Sequence, residues 1–208
     1  MPDTNVAAVI LAGGKSSRMG RDKASIVIGG RSMLQWVIDA ASEVAGTVVV
    51  VTARWQALPS MEARGRLVLV TDEREDAGPL AGMVTGLGVV EAPVALLLSC
   101  DQPFVQPALL TMLAAQAMEA AAAIPMVGRE LQPLCSAVRR DARDTLRAML
   151  ERGVWAAGAI ADLDGARQVE RREWSRVDSE GLSFVGVNTP EELVRAEAIA
   201  ARLDLGVG

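Results

Sequence analysis

The sequence contains no histidine. That absence excludes Ser-His-Asp and Cys-His nucleophilic catalysis and every His-ligated zinc site. A metal in this chain is therefore expected to be a hard cation held by oxygen, with Mg²⁺ as the expectation. Cysteine is scarce. Cys100 and Cys135 stand far apart without a pairing pattern, which predicts a reducing, cytoplasmic setting. No apolar run approaches the roughly 20 residues of a membrane span, and the first strand is not preceded by the basic segment of a signal peptide. Cations are outnumbered, with 21 Lys and Arg against 26 Asp and Glu, and the net charge of −5 disfavours broad binding to nucleic acid or anionic membranes. No linker or repeat divides the chain, and the alanine run at 120–123 is the one low-complexity tract. The 208 residues, half of them hydrophobic, are expected to form one domain spanning 1–208. Positioning and electrostatics, rather than a covalent nucleophile, remain as the expected chemistry.

What the sequence does have is concentrated between Val6 and Lys23. Val6 to Leu11 is a short apolar run of the kind that forms a fully buried strand. It breaks into Ala12, Gly13 and Gly14, where backbone can turn sharply and present bare N–H groups. Lys15, Arg18, Arg21 and Lys23 follow, a local concentration of cations on an acidic chain. A strand opening into a glycine turn and a cationic loop suits a polyphosphate: amides bond its oxygens and side chains neutralise its charge. The spacing is neither a Walker A loop nor Gly-x-Gly-x-x-Gly.

Further along, Ala24 to Ile28 is a short apolar piece, and Leu34, Val37, Ile38, Ala41 and Ala45 recur at helical spacing after Ser32. Thr47–Thr52, Arg66–Thr71 and Pro93–Ser99 read as buried strands, Trp55–Arg64 as a segment able to form a helix, and Ala108–Ala123 as helix-formers. Leu131–Val138 reads as extended with a turn at Pro133, and Asp141–Arg152 as an amphipathic helix. Ala166–Val177 reads as strand or loop, and Leu182–Val187 as a short strand before a last helix. Alternating strands and helices predict βαβ units and a mostly parallel sheet. In such a sheet the strand carboxyl ends share one edge, where ligands bind. That topology brings Ala12, Asp72 and Asp101 together although they are distant in sequence.

Each candidate also has a plain structural reading. Asp101, ahead of Gln102-Pro103, suits an Asx turn or a cation at a strand end. Asp72 suits a loop cap or an acceptor for a base or ribose. Gly78-Pro79-Leu80-Ala81-Gly82 is helix-start chemistry whose small residues also permit close backbone approach to a ligand. Thr189-Pro190-Glu191-Glu192 is a capping box, which leaves Asn188 unexplained. Cys100 reads as a packed small hydrophobe, and Cys135 is assigned no chemistry.

Leu11 to Lys23 reads Leu-Ala-Gly-Gly-x-Ser-x-Arg-Met-Gly-x-Asp-Lys at every fixed position and so resembles the nucleotidyltransferase signature. With Gly14, Gly78-Pro79-Leu80-Ala81-Gly82 and the Asp101 and Asn188 segments, the chain resembles the molybdenum cofactor guanylyltransferases over nearly its whole length. The resemblance implies an α/β fold, a Rossmann-like three-layer sandwich of the nucleotide-diphospho-sugar transferase type. Residues 1–105 would bind the nucleotide and residues 106–208 the acceptor. It implies transfer of GMP from GTP to molybdopterin, or to molybdenum-molybdopterin, with release of pyrophosphate. It further implies transient contact with the enzymes that deliver and receive the cofactor. Arg18, Lys23 and Asp101 would carry the chemistry, with Mg²⁺ on Asp101. Leu11, Ala12, Gly13, Gly14, Lys23, Asp72, Gly78, Pro79, Leu80, Gly82 and Asn188 would line the substrates. The sequence departs from the family pattern at Ala53 and Gly186, where asparagine is common. A related transferase using CTP or a sugar phosphate, and a non-catalytic nucleotide-binding regulator, stay open as alternatives.

Overall fold

The computed structural model describes residues 3–13, 23–72, 74 and 77–205. In chain order the elements are β1 (Asp3–Leu11), β2 (Val27–Ile28), β3 (Arg31–Ser32), α1 (Met33–Val44), β4 (Ala45–Ala53), β5 (Arg66–Asp72), α2 (Gly78–Leu87) and β6 (Val94–Ser99). They continue as α3 (Pro107–Ala117), β7 (Ala122–Val127), β8 (Glu130–Leu131), β9 (Cys135–Arg139), α4 (Arg143–Glu151), β10 (Ala166–Val169), α5 (Arg171–Trp174) and α6 (Pro190–Leu205).

The main sheet runs β10-β7-β9-β6-β1-β4-β5, with β8 paired to β7. The pairs β1–β4, β1–β6, β4–β5 and β7–β10 are parallel, and β9 lies antiparallel between β6 and β7. Val6 to Leu11 is buried on both faces, as its unbroken apolar run requires. Alternate residues feed two cores, because side chains on a strand point to opposite faces. Ala8, Ile10, Leu96 and Leu98 pack with Leu34, Val37 and Ile38 of α1 and Leu109 and Leu113 of α3. Ala7, Val9, Leu11 and Leu97 pack with Leu80, Met83 and Leu87 of α2 and Leu146 and Leu150 of α4. The result is helix, sheet, helix: the expected three-layer sandwich. No helix among the described residues is long and apolar enough to cross a membrane.

The chain steps from β1 outward to β4 and β5, then returns through α2 to place β6 on the other side of β1. The order therefore reverses between β1 and β6, and the crevice beyond their carboxyl ends is the topological switch point where ligands of such sheets bind. A third, smaller core seals that side. Ile26, Ile28, Met33 and Phe104 pack with Val187, Ala196 and Ala200, and Gly29 N donates to Glu197 Oε2 at 3.0 Å. The C-terminal helix is thereby fixed beside the start of α1.

Four expected elements differ. Ala166–Val177, read as strand or loop, is strand over Ala166–Val169 and then the short helix α5, which the Glu170–Glu173 capping box starts. Trp55–Arg64 is not helical. Pro59 lacks a donor and disfavours helix at Leu58, and Gln35 takes up the backbone instead, donating to Glu62 O at 2.8 Å and accepting from Glu62 N at 3.0 Å. The helix-forming run Ala108–Ala123 splits, its last residues entering the sheet as β7. There Ala122, Ala123 and Ile124 are buried, so pairing and burial override the propensity of alanine. Leu182–Val187 is a 3-10 turn followed by irregular chain, because the buried Asp178 carboxylate accepts from Leu182 N and Ser183 N at 3.0 and 2.9 Å.

The two-core arrangement predicts that Leu97→Ala, at a fully buried position of β6, lowers stability in urea unfolding by about 2–5 kcal/mol. Leu69→Ala on edge strand β5, 56% exposed, should change it by only about 0.5 kcal/mol.

Candidate functional site

At the switch point β6 ends in Ser99, and the chain turns through Cys100 and Asp101. Cys100 N donates to Leu11 O at 3.1 Å, so the two strand ends stay in register past the sheet. The Asp101 carboxylate is used on both oxygens: Ser99 Oγ donates to Oδ1 at 2.6 Å, and Lys23 Nζ donates to Oδ2 at 3.3 Å. Lys23 opens the short 3-10 turn Lys23–Ser25, and its ammonium also donates to Asn188 Oδ1. Both side chains of the ion pair are about one-quarter exposed, at 25% and 26%. They face water on one side and protein on the other.

Asn188 is held there from two directions. Val187 N donates to Asp101 O at 2.8 Å, and Glu192 Oε2 accepts from Asn188 N at 2.6 Å and Thr189 N at 3.0 Å. Glu192 N in turn donates to Thr189 Oγ1 at 3.2 Å. The expected capping box is therefore present, and it also clamps the backbone of Asn188. One ammonium thus joins residues from three separate parts of the chain, 23, 101 and 188.

On the other side of β1 the floor is made of backbone. Ala12 N and Gly13 N both donate to Val51 O, at 2.9 and 3.3 Å. A Cβ on Gly13 would lie 2.9 Å from Ala53 N, so no other residue fits. The expectation that Gly13 presents an open amide differs from this arrangement, in which its N–H is spent on the neighbouring strand end. Gln56 completes the floor, donating from Nε2 to Ala12 O at 2.9 Å while Oε1 accepts from Thr52 Oγ1 at 2.8 Å and Ala53 N at 3.0 Å.

Leu11 places its side chain against Gly82 of α2. Asp72, paired in register with Ala53, accepts through Oδ1 from Arg74 N at 3.1 Å and Thr85 Oγ1 at 3.3 Å, an Asx turn tied to α2. Gly78 has φ +69°, and a Cβ there would lie 2.5 Å from Trp155 O. Pro79 occupies the first turn of α2, and Leu80 N donates to Trp155 O at 3.1 Å. Gly78, Pro79, Leu80 and Gly82 therefore have packing roles at the edge. Gly14 and Arg18, together with Lys15 and Arg21, lie outside the described residues.

The structure brings Lys23, Asp101 and Asn188 into contact, and gathers Leu11, Ala12 and Gly13 with Ala53 beside them. Sequence reasoning missed Ser99, Gln56 and Trp155. Ser99 had a signal, as the polar residue ending an apolar strand two positions before Asp101. Gln56 and the carbonyl of Trp155 had none. Cys135 is fully buried, and burial, aided by the Asp178 carboxylate, pushes its thiol far above the usual range, away from any nucleophilic use.

Among the described residues no three Cys, Asp or Glu side chains gather as a ready-made metal cage. The donors present are one carboxylate and one amide oxygen, both directed at a single positive point. That set fits Mg²⁺, which commonly takes one or two carboxylates and fills its remaining positions with water and phosphate oxygens.

Because Gly78 combines a left-handed backbone with a carbonyl in the space of its missing Cβ, Gly78→Ala should lower stability by more than about 1 kcal/mol. Thermal unfolding measures this, and a neutral result would mean that Trp155 moves aside at no cost.

The fold is shared with solved structures at low identity. Molybdopterin-guanine dinucleotide biosynthesis protein A from Archaeoglobus fulgidus superimposes with a TM-score of 0.76 at 22% identity, over 94% of this chain and 99% of that one. The 2-C-methyl-D-erythritol 4-phosphate cytidylyltransferase from Thermus thermophilus does so at 0.69 and 22%, over 93% and 98%. Among sequences, the chain is 30% identical over 195 residues to the molybdenum cofactor guanylyltransferase of Desulfosudis oleivorans, covering 93% of this chain and 95% of that protein. It is also 30% identical over 208 aligned positions to the molybdenum cofactor guanylyltransferase of a Shewanella species, with coverage of 93% and 95%. The family profile described as MobA-like NTP transferase domain matches residues 8–168, and the chain belongs to that nucleotidyltransferase family.

Proposed function

We propose that this protein transfers GMP from GTP to molybdopterin or its molybdenum-loaded form, releasing pyrophosphate. The observation that carries the reading is the Lys23 ammonium held by Asp101 and Asn188 at the switch point, in a member of a nucleotidyltransferase family. A residue that can neutralise polyphosphate there sits against the donor set that suits a phosphate-bound cation. In this reading residues 1–105 hold the nucleotide and residues 106–208 the acceptor, within one cytoplasmic domain.

In the reaction an oxygen of the acceptor's terminal phosphate forms a bond to the α-phosphorus of GTP, and the bond from that phosphorus to the bridging oxygen of pyrophosphate breaks. A phosphate monoester has a second pKa near 6 and is largely dianionic at neutral pH, so no protein base is needed. A chain without histidine can therefore perform the step by alignment and charge compensation. Lys23, released from Asp101 when substrate enters, takes the developing charge on the departing pyrophosphate. Arg18 shares that charge, and Gly14 supplies amide donation. Asp101 and Asn188 Oδ1 would hold Mg²⁺, which when bound supplies charge neutralisation across phosphate oxygens. Ala12 and Gly13 form the floor beneath the nucleotide. Asp72, Gly78, Pro79, Leu80 and Gly82 bound the side where its base lies.

Titration calorimetry with Mg²⁺ and GTP, CTP, ATP or UTP tests the nucleotide. GTP is expected to bind best. A preference for CTP would move the protein to cytidylyl transfer, and no binding by any nucleotide would remove the reading. Asp101→Ala should lose at least about a hundredfold in pyrophosphate release, as other electrostatic stabilisers do, with native circular dichroism. Lys23→Ala should weaken GTP binding by about tenfold, as expected on losing a charge-assisted bond worth about 1.5–3 kcal/mol. Near-native values in either variant would take that residue out of the site.

A further inference from the structure

Trp55 is unlike every other described residue outside the glycines: its φ is +64° and its side chain is 89% exposed. A bulky residue in the left-handed region is strained, and an indole left in water gains nothing from burial. Among the described residues no burial of the indole offsets either cost. The turn that carries it is nonetheless rigidly built. Gln56 N donates to Ala53 O at 3.3 Å, and the Gln56 side chain bonds Thr52, Ala53 and Ala12 at once. Arg54 covers one face of the indole, with its guanidinium carbon 5.3 Å from the ring centroid. Strain held in a well-bonded turn, at the switch-point edge of the sheet, points to use.

Its place says what the use is. The turn stands just past β4, whose last residue, Ala53, lies against Gly13 and in register with Asp72 across the β4–β5 pair. The charged cluster of Lys23, Asp101 and Asn188 lies past β6, on the other side of β1. Two strand spacings, about 10 Å, separate β6 from β4. A nucleotide with its phosphates on the charged cluster and lying across β1 puts its base at the turn. Ala53 offers that base no polar side chain, whereas Trp55 offers a flat apolar surface. We infer that the uncovered face of Trp55 stacks on the nucleobase of the bound nucleoside triphosphate and supplies a main part of its affinity. The inference rests on the proposed nucleotidyl transfer.

The test is GTP binding by calorimetry and by indole fluorescence, in the native chain and in Trp55→Phe, Trp55→Ala and Trp55→Gly. Base–aromatic stacking predicts a loss of about tenfold or more in Trp55→Ala and Trp55→Gly, and most of the affinity kept in Trp55→Phe. Nucleotide should quench the native emission, and Trp55→Phe should lose most of that quench while still binding. Trp55→Gly should keep or raise the melting temperature, since glycine relieves the backbone strain and no packing is lost. Weaker binding without weaker folding separates a ligand contact from a structural role. Native affinity in Trp55→Ala, or a quench that survives in Trp55→Phe, overturns the inference. A native protein that binds no GTP overturns the functional reading, and this inference with it.

Discussion

One ammonium joins three distant parts of the chain at the edge of the sheet. Lys23 Nζ meets a carboxylate oxygen of Asp101 and the amide oxygen of Asn188, residues 78 and 165 positions away in sequence. None of the three could find the others by local structure. The parallel strands β1 and β6 bring Asp101 to the end of the first strand, and the small third core brings Asn188 down from the entry of α6. A pair of this exposure adds little to folding stability. Under the proposed reaction its importance is that oppositely charged and polar groups are pre-positioned, so that a ligand with its own charges exchanges one set of partners for another.

The backbone around this point is largely satisfied. The amides of Ala12 and Gly13 are spent on Val51, that of Leu80 on Trp155, and the carboxylate of Asp72 on its own turn and on Thr85. Pro79, in the first turn of α2, has no amide hydrogen to give. A strand end and a helix start that suggest open donors for phosphate are thus closed off by their neighbours. Under the proposed reaction, recognition of the triphosphate falls to side-chain cations and to the chain between Gly13 and Lys23.

Two positions at the same edge carry backbone in the left-handed region, with opposite solutions. At Gly78 the residue is glycine, and the space of its missing side chain is filled by Trp155. At Trp55 the residue is one of the largest, and its side chain stands in solvent. The first is a packing requirement that any sequence with this close approach must meet. The second is a cost that no burial among the described residues offsets, which is why it directs attention to a ligand.

The sequence by itself determined the class of the fold and the edge at which to look. Short unbroken apolar runs such as Val6–Leu11 suit strands buried on both faces, and their alternation with amphipathic segments argues for a mostly parallel sheet. The same local logic made the Thr189–Glu192 cap legible, because capping couples residues three apart. The absence of histidine fixed what the chemistry could not be. Tertiary structure decided the rest wherever neighbours were distant in sequence. Ala122 and Ala123 became strand because a slot beside β9 buried them, and Leu182–Val187 became a turn because Asp178 claimed its amides. Gln56 became the lock beneath Ala12 because Pro59 helped keep its segment out of a helix. Propensity and periodicity act over a few residues, whereas hydrogen-bond satisfaction and burial are settled only when remote segments meet.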